Sequence, residues 1–293
     1  MQPEHEQKAP DGAVGQRVAV QRKLAGMTQY QLADRAHVSA SLVSQVERGA
    51  VPASPAFTAT VARALRIDVE ALTGEPYGHP ITDPKADHAG IPALRAALGC
   101  VDDPEPSSPP MTAADLRIRL DQCDHYRIRS RYAQMAAVLP ELLQHAYVIA
   151  AEARPGRAAE TAWALLDDTY ACVHTVAYRL GYLDLAALAD ERSRHIVEHA
   201  GDPLRVAASA IQRVYLRLRR GEYPGVLRAM ERAHSEIADE RGPTADAVRT
   251  ALHLRQAITH ARSGDGDRAD EHIAVAGELV ALEVPVHPYY NVR

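Results

Sequence analysis

The side chains best suited to recognising a partner lie on one short segment near the N-terminus. A set of small or amide-bearing residues recurs on one side of a predicted helix: Ala40, Ser41, Ser44 and Gln45. Small side chains allow close approach to the floor of a DNA groove, and the amide of Gln45 can pair with the donor and acceptor of adenine. The sequence therefore predicts that this helix reads base edges in a major groove.

Two predicted helices with a tight turn between them position this surface. Thr28 and Ser39 are good N-caps, since a hydroxyl accepts from the unpaired N–H groups of a first helical turn. Apolar residues at helical spacing give each helix a buried face: Leu32, Ala33 and Ala36 in the first, Val43 and Val46 in the second. Gly49 then ends the second helix. The alternative is a plain αα-hairpin inside a larger helical protein, but these signals rarely coincide in one register.

This stretch resembles the helix-turn-helix of the phage-repressor and Cro-like (XRE) regulators. The matching segments are Thr28-Gln29, Leu32-Ala33, Val38-Ser39, Val43, Val46 and Glu47-x-Gly49. The resemblance implies a DNA-binding head of five helices over residues 14–74, in which Arg22 and Glu47 form an ion pair that clamps the first helix to the recognition helix. Where the family usually has glycine in the turn, this chain has His37, which tolerates a left-handed backbone better than most residues.

Two further side chains are expected to hold the phosphates of a double-stranded DNA operator. Gln29 lies at the start of the helix before the recognition helix, and Arg48 lies at the end of the recognition helix. Residues 14–74 carry a net charge of +3, although the whole chain carries −5. A basic module on an acidic body is typical of a DNA-binding head with a separate sensing or assembly domain.

Composition predicts the regions around the head. Residues 1–13 are polar and are expected to be a disordered lead-in. Ser54 and Asp68 are predicted to cap the last two helices of the head. Residues 75–111 hold eight of the 19 prolines and predict a semi-rigid linker with one short helix over 92–98. A folded extension packed against one domain is the alternative for residues 91–101.

From residue 112 to residue 293 the chain reads as stacked helices. Three turns around Gly181, Gly221 and Gly264 recur at a period of roughly 40 residues, which is typical of helical repeats. They predict three helix pairs: 158–180 with 184–200, 204–220 with 226–239, and 245–263 with 269–282. The whole arrangement resembles actinobacterial regulators that join an XRE head to a tetratricopeptide-like array, which implies an all-α fold. No polar capping helix is evident at the end, so a shortened chain and an end that pairs with another subunit both stay open.

Aromatic and basic side chains of the predicted array are candidates for effector binding. Aromatic residues on the inner helices could line a concave groove for a peptide or a small apolar metabolite, or could simply fill the core: Trp163, Tyr170, Tyr178, Tyr182 and Tyr215. A basic cluster could bind an anionic effector or the DNA backbone, or could be an exposed face: Arg127, Arg129 and Arg131.

One segment suggests enzymatic chemistry. His195, Glu198 and His199 fit the H-x-x-E-H pattern of inverted zinc peptidases. A solvated face of a repeat helix is the favoured interpretation, because the segment lies in the second helix of a pair, whose outer face is normally charged. A third ligand would have to come from another helix. The chain also lacks a phosphate-binding loop, a G-x-S-x-G segment and a dinucleotide fingerprint. We therefore expect no enzyme activity, no metal and no cofactor.

The remaining features predict the location and the assembly. Cys100, Cys123 and Cys172 are scattered and predict reduced thiols in a cytoplasmic protein, and neither a signal segment nor a membrane span is evident. One small head makes few DNA contacts, so we expect a homodimer held by the array. The sequence thus predicts a transcriptional regulator that senses an effector. A protein-binding adaptor or antitoxin-like repeat protein is the alternative.

Overall fold

The computed structural model describes residues 12–67, 71–72 and 88–280, and all regular elements within them are helices. The predicted all-α fold is therefore confirmed. The first eleven residues of the predicted lead-in, the predicted cap Asp68 and residues 281–293 lie outside the described residues. The chain divides into two compact units: the first covers residues 1–78 and is called the head, and the second, called the helical unit, covers nearly all that follows.

The head contains four fully described helices: α1 Gly12–Leu24, α2 Gln29–Arg35, α3 Ala40–Glu47 and α4 Pro55–Leu65. The predicted caps Thr28, Ser39 and Ser54 are confirmed. The hydroxyl of Thr28 accepts from the N–H of Gln31 at 3.2 Å, and the Ser39 and Ser54 hydroxyls cap α3 and α4 at 3.1 Å. Of the predicted fifth helix only residues 71–72 are described; they are helical, and Leu72 is fully buried in the core of the head.

Close packing of α1, α2 and α3 depends on two backbone positions. A side chain at Gly15 would collide with the carbonyl of Val46, so glycine lets α1 approach α3. His37, in the turn between α2 and α3, has a φ of 51°, which is the left-handed conformation expected at that position. The turn therefore has a left-handed residue at this position although it lacks a glycine.

The helical unit contains nine described α-helices: α5 Ile91–Gly99, α6 Ala113–Ile128, α7 Tyr132–Glu152, α8 Arg157–Arg179, α9 Leu183–Ile196, α10 Pro203–Arg219, α11 Tyr223–Glu236, α12 Pro243–Ser263 and α13 Gly266–Val280. A 3-10 helix, Val197–Ala200, extends α9. All three predicted helix pairs are present, and each helix begins within three residues of its expected start. A further pair, α6 and α7, precedes them; the repeat pattern did not identify it.

Part of the segment predicted as a linker is packed onto the helical unit. Helix α5 buries Leu94 and Leu98 completely in the same core as α6 to α9. Farther along, the amides and hydroxyls of Ser107 and Ser108 donate four hydrogen bonds of 2.7 to 3.2 Å to the Glu141 carboxylate. Burial alone would raise the pKa of Glu141, but these four bonds lower it to about 2. The folded extension considered for residues 91–101 therefore matches the structure better than an extended linker.

The core of the helical unit falls into two hydrophobic clusters. The first spans α5 to α9, and the second spans α10 to α12. Polar side chains of α8, α9 and α10 lie between the clusters, and we call this layer the seam: Asp167, Asp168, His174, Asp190, Ser193, Arg205, Ser209 and Gln212. The layer that joins the pair α8 and α9 to the pair α10 and α11 therefore consists largely of hydrogen-bonded polar side chains.

The three cysteines all lie in the helical unit. Cys123 and Cys172 are buried, Cys100 is partly buried, and all three carry free thiols. Among the helices that the structure describes, none combines the length and the apolar character of a membrane span.

Candidate nucleic-acid interface and effector pocket

Helix α3 presents one continuous outward face. Its buried side is formed by Val43 and Val46, and residues at i, i+1, i+4 and i+5 lie together on the other side of a helix. That side holds the predicted base-reading residues: Ala40, Ser41, Ser44 and Gln45. Ser41 is exposed and the other three are partly buried. Three of the four side chains are short, so the amide of Gln45 is the longest polar group on this face. Contact of these residues with bases stays a prediction.

An ion pair joins α1 to the end of α3. The Arg22 guanidinium donates from Nε to Glu47 Oε1 at 2.6 Å and from Nη2 to Glu47 Oε2 at 2.9 Å, and its Nη1 donates to the Met27 carbonyl at 2.7 Å. Bidentate arginine–carboxylate pairs fix orientation as well as adding energy. The hydrogen bond to Glu47 raises the pKa of Arg22. Burial alone would raise the pKa of Glu47, but the bonds from Arg22 and Gln29 lower it.

Gln29 is a third member of this clamp. Its Nε2 donates to Glu47 Oε2 at 2.7 Å, so the side chain expected to hold a phosphate is already bonded inside the head. An amide has two N–H donors, which leaves one for a phosphate. Gln29 and Glu47 are 18 residues apart, and no spacing rule could have linked them. Arg48 is exposed, and its Nε donates to the Ser44 carbonyl at 3.2 Å, so the guanidinium lies beside the outward face of α3.

The aromatic residues predicted to share one groove are distributed over several places. Tyr170 is buried and its hydroxyl donates to that of Tyr147 at 3.3 Å, which makes it a core residue. Trp163 packs against His199 with ring centroids 5.5 Å apart, and the Tyr182 hydroxyl bonds to His88. The structure brings together only Tyr178 and Tyr215, whose rings meet edge to face at 5.4 Å.

Tyr178 and Tyr215 line an open pocket at one end of the seam, with a volume of about 80 Å³. We call it the seam pocket. Its walls come from α6, α7, α8 and α10: Arg127, Tyr132, His174, Thr175, Tyr178, Arg179, Gln212 and Tyr215. These residues are mostly polar, so the pocket does not suit the apolar metabolite that the aromatic pattern suggested. Of the predicted basic cluster Arg127 lines the pocket, whereas Arg129 and Arg131 are not among its lining residues.

A further arginine lies against one of the lining residues of the pocket. Arg255, on α12, is only 9% exposed, and its guanidinium carbon lies 3.8 Å from the centroid of the Tyr215 ring. Within the described part of the chain, its buried Nε has no hydrogen-bond partner. Sequence reasoning missed this residue, because it lies 40 positions from Tyr215 and only the stacking of α12 on the preceding helix pair brings the two together.

The histidines of the segment that suggested zinc chemistry lie in different local surroundings. His195 ends α9 and its Nε2 lies 3.1 Å from Glu191, whereas His199 lies in the following 3-10 helix beside Trp163. Four other histidines form a row across α11, α12 and α13: His234, His253, His260 and His272. Among the described residues, no group of three or more His, Cys, Asp or Glu side chains could hold a metal ion. The geometry therefore gives the zinc peptidase hypothesis no support.

The fold and the site define an all-helical protein whose N-terminal unit is a helix-turn-helix domain. Residues 13–73 match the family described as "Helix-turn-helix domain". A comparison with curated proteins gave no match.

Several solved structures are similar along nearly the whole chain at low identity. PlcR of Bacillus thuringiensis, in complex with the peptide PapR7 and DNA, is 12% identical with a TM-score of 0.40, over 93% of this chain and 95% of that chain. The pheromone receptor Rgg2 of Streptococcus dysgalactiae is 13% identical with a TM-score of 0.31, over 96% and 97%. ComR of Streptococcus suis is 15% identical with a TM-score of 0.22, over 96% and 92%. TM-scores this low do not by themselves indicate a function, which has to follow from the chain's own residues.

Proposed function

We propose that this protein is a cytoplasmic, sequence-specific DNA-binding transcriptional regulator. One observation carries the proposal: in a domain that matches a helix-turn-helix family, α3 presents an outward face of short, mostly polar side chains. The clamp of Arg22, Glu47 and Gln29 holds this helix in place. A helix of this kind enters the major groove and reads base edges through its outward side chains. The net charge of +3 over residues 14–74 supports binding to the phosphate backbone.

Two substitutions on α3 test the proposed reading of bases. Gln45→Ala is expected to cost about 1–3 kcal/mol of discrimination at one base position, because it removes the only long polar side chain of the reading face. Arg48→Ala is expected to weaken binding to all sequences similarly and to lower its salt dependence, because a phosphate contact carries no sequence information. Selection of binding sites from random DNA, with titrations at several salt concentrations, measures both effects.

The matched control for these substitutions is Gln16→Ala, which removes an exposed amide from α1. It should change neither the selected sequence nor the affinity. If Gln45→Ala selected the same sequence as the parent protein, the assignment of reading residues on α3 would be wrong.

We further propose that the protein binds its operator as a homodimer on an inverted repeat. A single head reads few base pairs, and two linked heads gain effective concentration on half-sites about one helical turn apart. The helical unit is large enough to hold two heads in register. Sedimentation at micromolar concentration should therefore show a dimer, and a single half-site should bind more weakly than the inverted repeat. A monomer that bound one half-site with full affinity would contradict this proposal.

The helical unit is proposed to be the effector-binding part of the regulator. The seam pocket supports this role, because its walls come from helices of both hydrophobic clusters and a ligand there would contact both. An effector shifts an equilibrium only by binding one arrangement more tightly than another. A ligand that bridges two clusters has such a preference whenever their angle changes. A peptide and a small molecule both remain candidates for this effector.

A further inference from the structure

We propose that the seam pocket binds the anionic group, a carboxylate or a phosphate, of a small effector. Only the role of the ligand as an effector rests on the proposed regulatory function. The binding site itself is inferred from the geometry of the helical unit. Four observations support it: the size of the pocket, the charges around it, its hydroxyl groups and the state of Arg255.

The size of the pocket fits a chemical group rather than a large ligand. A volume of about 80 Å³ corresponds to roughly five to eight water molecules, since one water needs about 10–15 Å³ by this measure. A carboxylate or phosphate with a few attached atoms has this size. The pocket is open to solvent, so the rest of the ligand can extend outward.

The charges around the pocket are mainly positive. Its lining residues include Arg127 and Arg179 and no aspartate or glutamate, although Arg127 also pairs with Asp124 at 2.5 Å. Asp190 lies beside two of the lining residues: its Oδ1 is 2.8 Å from His174 Nδ1 and 3.3 Å from Gln212 Nε2, while its buried Oδ2 has no hydrogen-bond partner among the described residues. A guanidinium is the side chain that best matches the planar, two-oxygen edge of carboxylate and phosphate.

Hydroxyl groups complete the donor set. Tyr132, Tyr178 and Tyr215 all line the pocket, and phenol hydroxyls donate to anionic oxygens. Burial, with a contribution from Tyr215, raises the pKa of Tyr178 to about 12, so this hydroxyl keeps its proton at neutral pH. The flat faces of the rings also suit a ligand whose anionic group is attached to an aromatic or apolar part.

Arg255 adds a further positive charge near the pocket, although it is not among the lining residues. It is 9% exposed, it lies over the Tyr215 ring at 3.8 Å, and its buried Nε lacks a hydrogen-bond partner among the described residues. Buried donors are nearly always bonded, and a buried charge is normally paired. Arg255 therefore adds positive potential at Tyr215, one of the lining residues of the pocket.

Titration calorimetry of the full-length chain with three probes tests the site. Benzoate and phenyl phosphate carry the proposed anionic groups, and benzamide has the shape of benzoate without the charge. We expect saturable binding of at least one anion, at least tenfold tighter than benzamide. Preference for benzoate would identify a carboxylate site and preference for phenyl phosphate a phosphate site. Absence of saturable binding by both anions at millimolar concentration, or equal binding of benzamide, would overturn the proposal.

Arginine substitutions test whether the anion binds in the seam pocket. Arg179→Met removes an exposed lining charge and should weaken the anion about tenfold without affecting the fold. Arg255→Met should weaken it similarly, with circular dichroism showing that the helices persist. Arg228→Met removes the same charge from the exposed side of α11 and should have no effect. Unchanged binding in both pocket variants would refute the assignment.

A separate measurement distinguishes the site from the regulatory function. The affinity of the chain for its selected DNA sequence is titrated with and without the bound anion. A change that Arg179→Met abolishes supports an effector role for the pocket. Anion binding with unchanged DNA affinity keeps the site but removes that role, and failure to bind any DNA refutes the proposed regulator while leaving the anion measurement intact.

Discussion

Replacing Asp168 by asparagine is expected to lower the free energy of unfolding of the helical unit by about 3 kcal/mol. Asp168 is 1% exposed and accepts hydrogen bonds from Arg117 at 2.7 Å and from Arg205. Breaking a buried ion pair costs about 3–5 kcal/mol. The lower end applies here, because Arg117 keeps a contact with Asp121 at 3.3 Å and Arg205 keeps one with Asp167 at 3.4 Å.

The neighbouring Asp167 provides a matched control. Burial is the main cause that raises its pKa to about 6, so its charge is already disfavoured in the folded state. Asp167→Asn should therefore cost less than about 1 kcal/mol near pH 7, since the asparagine oxygen can still accept from Ser193. Equal losses for the two substitutions would contradict this account of the seam.

The effect of pH on Asp167 has a definite sign. Its folded pKa of about 6 lies above the unfolded value of about 3.9, so the folded state binds more protons between these values. The contribution of Asp167 to stability therefore rises as the pH falls from about 6 to about 4, and Asp167→Asn should remove it. Urea unfolding followed by the fluorescence of Trp163, the single tryptophan, measures both effects within the helical unit.

Replacing Glu47 by alanine is expected to unfold the head and abolish DNA binding. Arg22 is 9% exposed and would lose its bidentate partner, at a cost of about 3–5 kcal/mol. A domain of about 60 residues has a total stability on the order of 3–9 kcal/mol. Circular dichroism should therefore show loss of helix, while Trp163 fluorescence, which reports on the helical unit, should stay unchanged.

A double variant separates the ion pair from the shape of the site. Apolar residues of similar volume can replace a buried ion pair at little cost, so Arg22→Met with Glu47→Leu should recover most of the helix lost in Glu47→Ala. DNA binding should return with it if the pair acts mainly by holding α3 in place. A double variant as unfolded as Glu47→Ala would show that the head needs the charges themselves.

Much of this structure could be predicted because its signals are local. Thr28, Ser39 and Ser54 cap their helices through bonds to the residue three positions on, a pattern that sequence displays directly. The three helix pairs follow from a repeat of glycine turns and small residues. The packing of α5 was only the alternative interpretation, because prolines around it suggested an extended chain, whereas its apolar side is buried by helices farther along the sequence.

The candidate sites also have one part that the sequence predicts and another part that only the packing of the helices reveals. The outward face of α3 is set by helical spacing, so its members could be named from the sequence. Tyr178 and Tyr215 were identified by their aromatic type, but Arg255, which lies over Tyr215, comes from another helix, and only the stacking of the helices brings it there. Tyr170 and Tyr178 look alike in sequence, and the orientation of α8 alone places one in the core and the other at the pocket.

The seam gives the helical unit unequal stiffness along its length. A core of interdigitating side chains resists shear, because all its members must leave their packing positions together. A hydrogen-bonded layer can exchange its contacts with water one at a time, each at a net cost of about 0.5–1.5 kcal/mol. We therefore expect bending to concentrate between α9 and α10, where the polar contact of Ser193 with Ser209 lies, rather than within either hydrophobic cluster.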